Sequence, residues 1–177
     1  MAETEPHHSL PAPVFEKPVK LLIVVAPYYR DIADQLVAGA RAAIMAAGGT
    51  HTLLEVPGAL EVPTAISLAA RGGDFDGFVA LGCVIRGETT HYETVCNDSS
   101  RALQLMGLDG VCIGNGILTV ENREQAKARA EAAGQNKGGG AAQAALHLIA
   151  IQRKFSRSTK GIGFKPATKN ILMAGKD

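Results

Sequence analysis

The residue best suited to chemistry in this sequence is His91, which stands just after an apolar run that ends at Ile85. Two threonines precede it, and Thr90 has Glu93 three residues later, the spacing of a helix capping box. A strand, a turn and a helix N-terminus are therefore predicted in succession. Exposed amides and the helix dipole at such a junction favour an anion, typically phosphate. An imidazole beside a bound phosphate could transfer protons.

Runs of apolar and β-branched residues predict the elements that must position this histidine. The predicted strands cover 19–26, 51–56, 76–85 and 111–118, the last interrupted at 114–116. The predicted helices cover 32–47, with Asp31 as N-cap, and then 62–71, 90–106, 121–133 and 140–155, with a loop at 134–138. This alternation predicts an α/β, flavodoxin-like three-layer sandwich with a four-stranded parallel sheet and the first strand inside the sheet.

Length and composition predict one globular domain with short extensions. The 177 residues divide into a flexible arm over 1–17, a domain over 18–155 and a basic tail over 156–177. With 18 basic and 17 acidic side chains, nothing favours a nucleic acid or a membrane surface as partner. No apolar run is long enough to span a bilayer. Three cysteines without a CxxC pair predict a reduced, cytoplasmic protein that holds no metal.

Polar and aromatic residues follow each predicted strand, so in a parallel sheet they should meet at one edge. They are Tyr28 and Tyr29 after the first strand, Ala59, Leu60 and Glu61 after the second, 86–91 after the third, and Asn115 near the end of the fourth. This convergence predicts a pocket, but it does not identify a reaction.

Several of these residues also have a simpler structural explanation. His91 could be a cap or a surface residue, and Glu61 could serve only as a partner of the helix dipole. Arg129 and Lys137, in a charged helix and the loop after it, could simply be solvated. Gly87 is expected to be needed by its turn whatever the function. The two tyrosines could form a packing pair or a stacking platform.

Four runs in this sequence resemble motifs of the 6,7-dimethyl-8-ribityllumazine synthases. They are VPGALEVP at 56–63, GCVIRGETTHY at 82–92, GILTVEN at 116–122 and NKG at 136–138. The resemblance implies condensation of a ribitylaminopyrimidinedione with 3,4-dihydroxy-2-butanone 4-phosphate, the penultimate step of riboflavin synthesis, without a cofactor. It also implies a flavodoxin-like fold, pentamers or shells of twelve pentamers, and active sites between adjacent subunits.

The resemblance implies two catalytic residues, His91 for proton transfer and Arg129 for clamping the substrate phosphate. An imidazole can both give and take a proton near neutral pH. A guanidinium offers a planar fork of donors that matches phosphate. Lys137 matches a lysine close to the pyrimidine, and Asn115 stands where many members carry an aromatic residue from the neighbouring subunit.

The other implied substrate-binding positions follow the first three strands. They are Tyr28 for stacking on the pyrimidine, Ala59, Leu60 and Glu61 for the ribityl chain, Val84 and Ile85 for main-chain bonds to the pyrimidine, and Gly87, Glu88 and Thr89 for the phosphate. Tyr29, Asn115 and Ala133 depart from the family's common residues. The resemblance therefore does not determine the shape of the pyrimidine pocket.

Two other functions stay open at this stage. A paralogue could bind lumazine or riboflavin without making it, although the phosphate turn, His91 and Arg129 disfavour this. An FMN-binding flavodoxin-like protein is disfavoured because the residues after the first strand contain no phosphate loop rich in Ser, Thr and Gly. A shell with a structural role could coexist with the enzyme.

Overall fold

The computed structural model describes residues 10–159, so most of the predicted arm and tail (1–9 and 160–177) lie outside the described residues. The elements are β1 (Lys20–Val25), α1 (Arg30–Ala46), β2 (Thr50–Glu55), α2 (Glu61–Gly72), β3 (Gly77–Ile85), α3 (His91–Leu108), β4 (Ile113–Val120), α4 (Arg123–Ala130) and α5 (Lys137–Thr159). No helix in the described part of the chain is long and apolar enough to cross a membrane.

The four strands form one parallel sheet in the order β2-β1-β3-β4. This arrangement confirms the predicted flavodoxin-like sheet with β1 inside it. Side chains alternate along β1, so Leu21 and Ile23 face one core cluster and Leu22 and Val24 face the other. Helices α1, α4 and α5 cover the first face, and α2 and α3 cover the second. Strands β2 and β4 are left as the two edges.

Strand β4 is continuous, so the predicted interruption at 114–116 is wrong. Gly114 pairs in register with Val79, and the next two residues continue the ladder. The glycine is required by packing, since a Cβ at Gly114 would lie 1.7 Å from the Ala141 carbonyl oxygen of α5. Asn115 is the third residue of β4 and pairs with Ala80, roughly 16 Å along the sheet from Ile85. The prediction that Asn115 reaches the carboxyl edge is therefore also wrong.

The starts of α1, α4 and α5 differ from the sequence prediction by two or three residues. Helix α1 begins at Arg30, so Asp31 lies in its first turn and is not the N-cap. Helix α5 begins at Lys137, which the sequence placed in a loop. The Asn136 side chain explains this start, because its Oδ1 accepts a hydrogen bond from the Gly139 amide at 3.0 Å. Helix α5 also continues past residue 155, where the predicted periodicity ended.

Candidate active site

A cleft of about 530 Å³ opens at the carboxyl ends of β1, β2 and β3. Seven predicted site residues line it, namely Tyr28, Ala59, Leu60, Glu61, Val84, Ile85 and His91. The remaining lining residues are Ala26, Tyr29, Pro57, Gly58, Cys83 and Val95. The structure thus brings together the residues that follow three of the strands, as the parallel topology requires.

The turn between β2 and α2 presents Glu61 to the cleft. The Glu61 amide donates to the Gly58 carbonyl at 3.1 Å, which closes the turn. A Cβ at Gly58 would lie 2.8 Å from Glu61 Oε2, so the glycine leaves room for the carboxylate. Ala59 is buried beneath the turn, whereas Leu60 is partly exposed at its rim. The result is a carboxylate acceptor beside an apolar rim, which suits a ligand that carries hydroxyl groups.

The turn between β3 and α3 is held without the predicted capping box. Thr90 occupies the N-cap position, but its side chain accepts no capping hydrogen bond. Thr89 Oγ1 instead accepts from the His91 amide at 3.4 Å. Glu93 is directed to Arg86, because an ion pair with a guanidinium is stronger than a bond to a neutral amide.

Arg86 ties this turn to the rest of the sheet. Its amide donates to the Val120 carbonyl of β4 at 2.9 Å, and its Nε donates to Glu121 Oε2 at 2.8 Å. Its Nη1 pairs with Glu93, and the guanidinium lies 4.2 Å from the Tyr92 ring centroid. The hydrogen bond from Arg86 holds the pKa of the Glu93 carboxyl below its usual range. Because Arg86 is bonded to both Glu93 and Glu121, it anchors the β3–α3 connection together with the first helical turn of α3.

The backbone at position 87 does not require a glycine, contrary to the sequence prediction. Its φ lies outside the left-handed region, and a Cβ built on it would meet nothing within 4 Å. Gly87, Glu88 and Thr89 are exposed and directly precede the His91 wall of the cleft, although they do not line it. The prediction that this turn needs a glycine is therefore wrong for the isolated chain. The open space beside Gly87 would accommodate a ligand.

An aromatic pair and a thiol complete the β1 side of the cleft. Tyr28 is 76% exposed, and its ring meets the Tyr29 ring edge to face, with centroids 5.0 Å apart and planes at 75°. One face of an exposed ring is thereby offered to the cleft. Burial raises the pKa of the Cys83 thiol to about 11, so this group lines the wall as a neutral side chain.

The other three predicted site residues lie on a different surface. Asn115, Arg129 and Lys137 line a cavity of about 450 Å³ along the outer edge of β4, between α4 and α5. Arg129 is half-buried and donates from Nη1 to the Gln125 carbonyl at 3.2 Å. Asn115 Oδ1 accepts from the Ile117 amide at 3.0 Å. We call this the β4-edge surface, and a single chain does not bring it to the cleft.

The two surfaces have complementary chemistry. The cleft is lined by an imidazole, a carboxylate and two phenols, and no Lys or Arg is among its described lining residues. The β4-edge surface carries Arg129 and Lys137. Within residues 10–159, no group of three His, Cys, Asp or Glu side chains could hold a metal ion. The cleft can therefore bind hydroxyls and move protons, whereas the cations that an anion needs lie on the second surface.

Cys83 and Val95 are among the cleft residues that the sequence did not predict as part of a site. Cys83 belongs to the apolar run of β3, and its position near the end of the strand places it on the cleft wall. Val95 follows His91 by four residues on α3, which puts both on one helix face. That spacing was the available signal for Val95.

Comparison with known proteins gives the same family that the four motifs suggest. Residues 18–153 match the sequence model described as 6,7-dimethyl-8-ribityllumazine synthase. The 6,7-dimethyl-8-ribityllumazine synthase of Jannaschia sp. (strain CCS1) is 57% identical over 159 residues, covering 90% of this chain and 89% of that protein. That of Erythrobacter litoralis (strain HTCC2594) is 55% identical over 136 residues, covering 77% and 97%. The chain therefore belongs to the 6,7-dimethyl-8-ribityllumazine synthase family.

Proposed function

We propose that the cleft of one subunit and the β4-edge surface of an adjacent subunit together form the active site of this synthase. The reaction joins 5-amino-6-(D-ribitylamino)uracil to 3,4-dihydroxy-2-butanone 4-phosphate. It gives 6,7-dimethyl-8-ribityllumazine and releases phosphate and water. The observation that carries this proposal is the division of the predicted site residues between two separate surfaces of one chain.

The cleft provides the features that the pyrimidine substrate needs. A flat heterocycle gains contact area on the exposed face of Tyr28. The Glu61 carboxylate, held over Gly58, accepts hydrogen bonds from hydroxyls of the ribityl chain. Val84 and Ile85, at the half-buried end of β3, offer main-chain groups to the ring. These contacts fix the pyrimidine with its amine towards His91.

The phosphate substrate requires residues from both surfaces. The turn at 87–89 precedes a helix N-terminus, and the space beside Gly87 is open. A dianionic phosphate also needs positive charge, and no Lys or Arg is among the residues described as lining the cleft. Arg129 of an adjacent subunit supplies a charged fork of donors for this phosphate. Lys137 of the same neighbour adds a second cation near the pyrimidine.

His91 carries the proton transfers in this scheme. The substrate amine attacks the ketone, and water leaves to form an imine. Phosphate is then eliminated, and the enol that forms tautomerises to a ketone. The ribitylamino nitrogen attacks this second carbonyl, and the ring closes with loss of a second water. Each step gives or takes a proton, and His91 lies on the wall of the cleft at the first residue of α3. General acid–base help of this kind is worth about 10²–10⁴-fold. Orientation of the two substrates supplies much of the remaining rate enhancement.

A pentamer is the assembly that we propose. Among the described strands β4 is an edge, and within residues 10–159 the helix α5 beside it exposes 40% of Leu148 and 50% of Ile151. An unpaired edge strand next to exposed apolar residues is typical of a surface that another subunit covers. Sedimentation velocity should give one species of five 18.4-kDa chains. A single megadalton species would instead indicate a shell of pentamers.

The domain boundaries and the location follow from the same features. We propose a catalytic domain over 18–155 flanked by the arm and the tail, in keeping with the family match over 18–153. We also propose that the protein works in the cytoplasm. The free thiols of Cys83, Cys96 and Cys112 support a reducing compartment.

The proposed activity is tested by following lumazine formation by absorbance and fluorescence. The purified protein is mixed with both substrates, and the rate is compared with the slow uncatalysed background. We expect a rate above background that is lost in the double variant His91→Ala/Arg129→Ala. The variant Arg30→Gln is a matched control, because Arg30 is paired with Glu55 away from both surfaces. Tight lumazine binding without turnover would favour a binding protein instead.

A further inference from the structure

Tyr29 occupies a place in the cleft that the reaction scheme does not yet use. We infer that Tyr29 is a positioning residue that holds the Tyr28 ring ready to stack on the pyrimidine, and that Arg123 and Asp31 in turn hold Tyr29. This inference rests on the proposed function of the cleft. Four side chains from the start of α1 and the start of α4 form the chain of contacts that carries it.

The first contact is the aromatic pair. Tyr28 is 76% exposed, so the rest of the chain restrains its ring little. The Tyr29 ring meets it edge to face at 5.0 Å between centroids. This arrangement is favourable for two aromatic rings, and it leaves the opposite face of Tyr28 open. Tyr29 therefore limits the orientations that Tyr28 can adopt before substrate binds.

The second contact anchors Tyr29 from the other side. The Arg123 guanidinium carbon lies 5.6 Å from the Tyr29 ring centroid, within cation–π range. Arg123 Nη2 also lies 2.8 and 2.9 Å from the two carboxylate oxygens of Asp31. The guanidinium is thus held by a carboxylate while it lies over the phenol ring. The first residue of α4 is in this way joined to the cleft wall.

The backbone of Tyr29 is fixed as well. Its carbonyl accepts the hydrogen bond from the Ala33 amide at 2.9 Å, at the N-cap position of α1. Its side chain is half-buried and packs against the core cluster beneath the sheet edge. Burial is the main reason why the pKa of the Tyr29 phenol is raised, so the ring stays neutral during the reaction. Tyr29 can therefore act as a rigid support, whereas Tyr28 cannot.

The main experiment compares Tyr29→Leu with Tyr29→Phe in the wild-type assay. Leu keeps an apolar side chain but removes the ring, and Phe keeps the ring. We expect Tyr29→Leu to raise the KM for the pyrimidine about three- to tenfold, the range of one aromatic pair. The KM for the butanone phosphate and kcat should stay within about twofold of wild type, because the proposed phosphate turn at 87–89 and His91 belong to the β3–α3 side of the cleft and not to the aromatic pair. Tyr29→Phe should keep the wild-type KM.

A double-mutant cycle separates positioning from direct contact. In a Tyr28→Ala background the ring that Tyr29 supports is gone. The further change Tyr29→Leu should then leave the KM for the pyrimidine unchanged. If Tyr29→Leu still raised that KM severalfold in this background, Tyr29 would touch the substrate itself, and the inference would be overturned.

Asp31→Asn tests the outermost contact, between Asp31 and Arg123, without changing a residue that lines the cleft. Both Asp31 and Arg123 are about half exposed, so the change should not impair folding. We expect a rise of about twofold in the KM for the pyrimidine, smaller than that of Tyr29→Leu because the ring remains. Arg30→Gln is the control, since it removes an ion pair from the same helix start that faces a different cavity. It should leave both KM values unchanged.

The outcomes distinguish this inference from the proposed function. If the wild-type protein forms no lumazine, the proposed function fails. If it does so and Tyr29→Leu leaves the KM for the pyrimidine unchanged, or raises both KM values equally, only the inference fails. Circular dichroism and sedimentation of each variant check that it folds and assembles. Should Tyr29→Leu not fold, Asp31→Asn decides, and an unchanged KM for the pyrimidine in that variant overturns the inference.

Discussion

Two impaired variants of this protein should restore each other's activity when they assemble together. His91→Ala damages the cleft and leaves the β4-edge surface intact, whereas Arg129→Ala does the reverse. In a mixed ring some sites will combine a cleft from an Arg129→Ala chain with an edge surface from a His91→Ala chain. Those sites contain only wild-type residues, although no chain in the ring is wild type.

The expected recovery follows from the composition of the ring. With equal amounts of the two variants and random assembly, half of the clefts and half of the edge surfaces are intact. Because a site needs both, about one quarter of the sites should be active. The His91→Ala background should be lower than wild type by about 10²–10⁴-fold. Loss of a charged hydrogen bond in Arg129→Ala should lower kcat/KM roughly 10- to 100-fold.

The assay is co-expression of the two variants with different affinity tags, tandem purification and measurement of lumazine formation. The control pairs His91→Ala with Glu61→Gln, since both changes damage the cleft and every cleft in that mixture carries one lesion. This mixture should not exceed the activities of its separate variants. Recovery of the first pair no greater than that of the control would refute a site shared between subunits.

Three further predictions concern residues with known surroundings. Gly114→Ala should destabilise the fold by about 3 kcal/mol or more, measured by urea unfolding, because the new methyl would lie 1.7 Å from the Ala141 carbonyl oxygen. Gly87→Ala should leave the unfolding curve unchanged, because its methyl would meet no atom within 4 Å. It should raise the KM for the butanone phosphate, because that methyl would occupy the open space of the phosphate turn. Cys83 should react slowly with iodoacetamide at pH 8 by mass spectrometry, since a pKa of about 11 leaves roughly one thiol in a thousand ionised.

Much of the fold could be predicted because each strand is a short apolar run and each helix has a regular apolar face. The failures occurred where a glycine or a side chain serves packing. Gly114 and Gly116 suggested a break in β4, but the close approach of α5 requires them there. Asp31 had the residue type of an N-cap, yet a long-range ion pair with Arg123 uses its carboxylate instead. Local pattern cannot reveal a partner 92 residues away.

The candidate site was predictable to the extent that its residues follow strands. Tyr28, Glu61 and His91 share a cleft because parallel strands end at one edge. The position of Asn115 was predicted wrongly because the apparent break at 114–116 concealed how far β4 continues after this residue. The position of Lys137 depended on where α5 begins, which the Asn136 side chain determines.

Under the proposal of a shared site, the position of β4 makes one chain an incomplete enzyme. As an edge strand it has one side free of pairing, and the cavity along that side contains Asn115, Arg129 and Lys137. The cleft lies at the ends of the other three strands, and its described lining residues include no Lys or Arg. One contact with a neighbouring subunit would cover the exposed β4 edge. The same contact would bring positive charge to the anion-binding turn. Under this proposal assembly and catalysis depend on the same surface, so changes at the β4 edge should affect both.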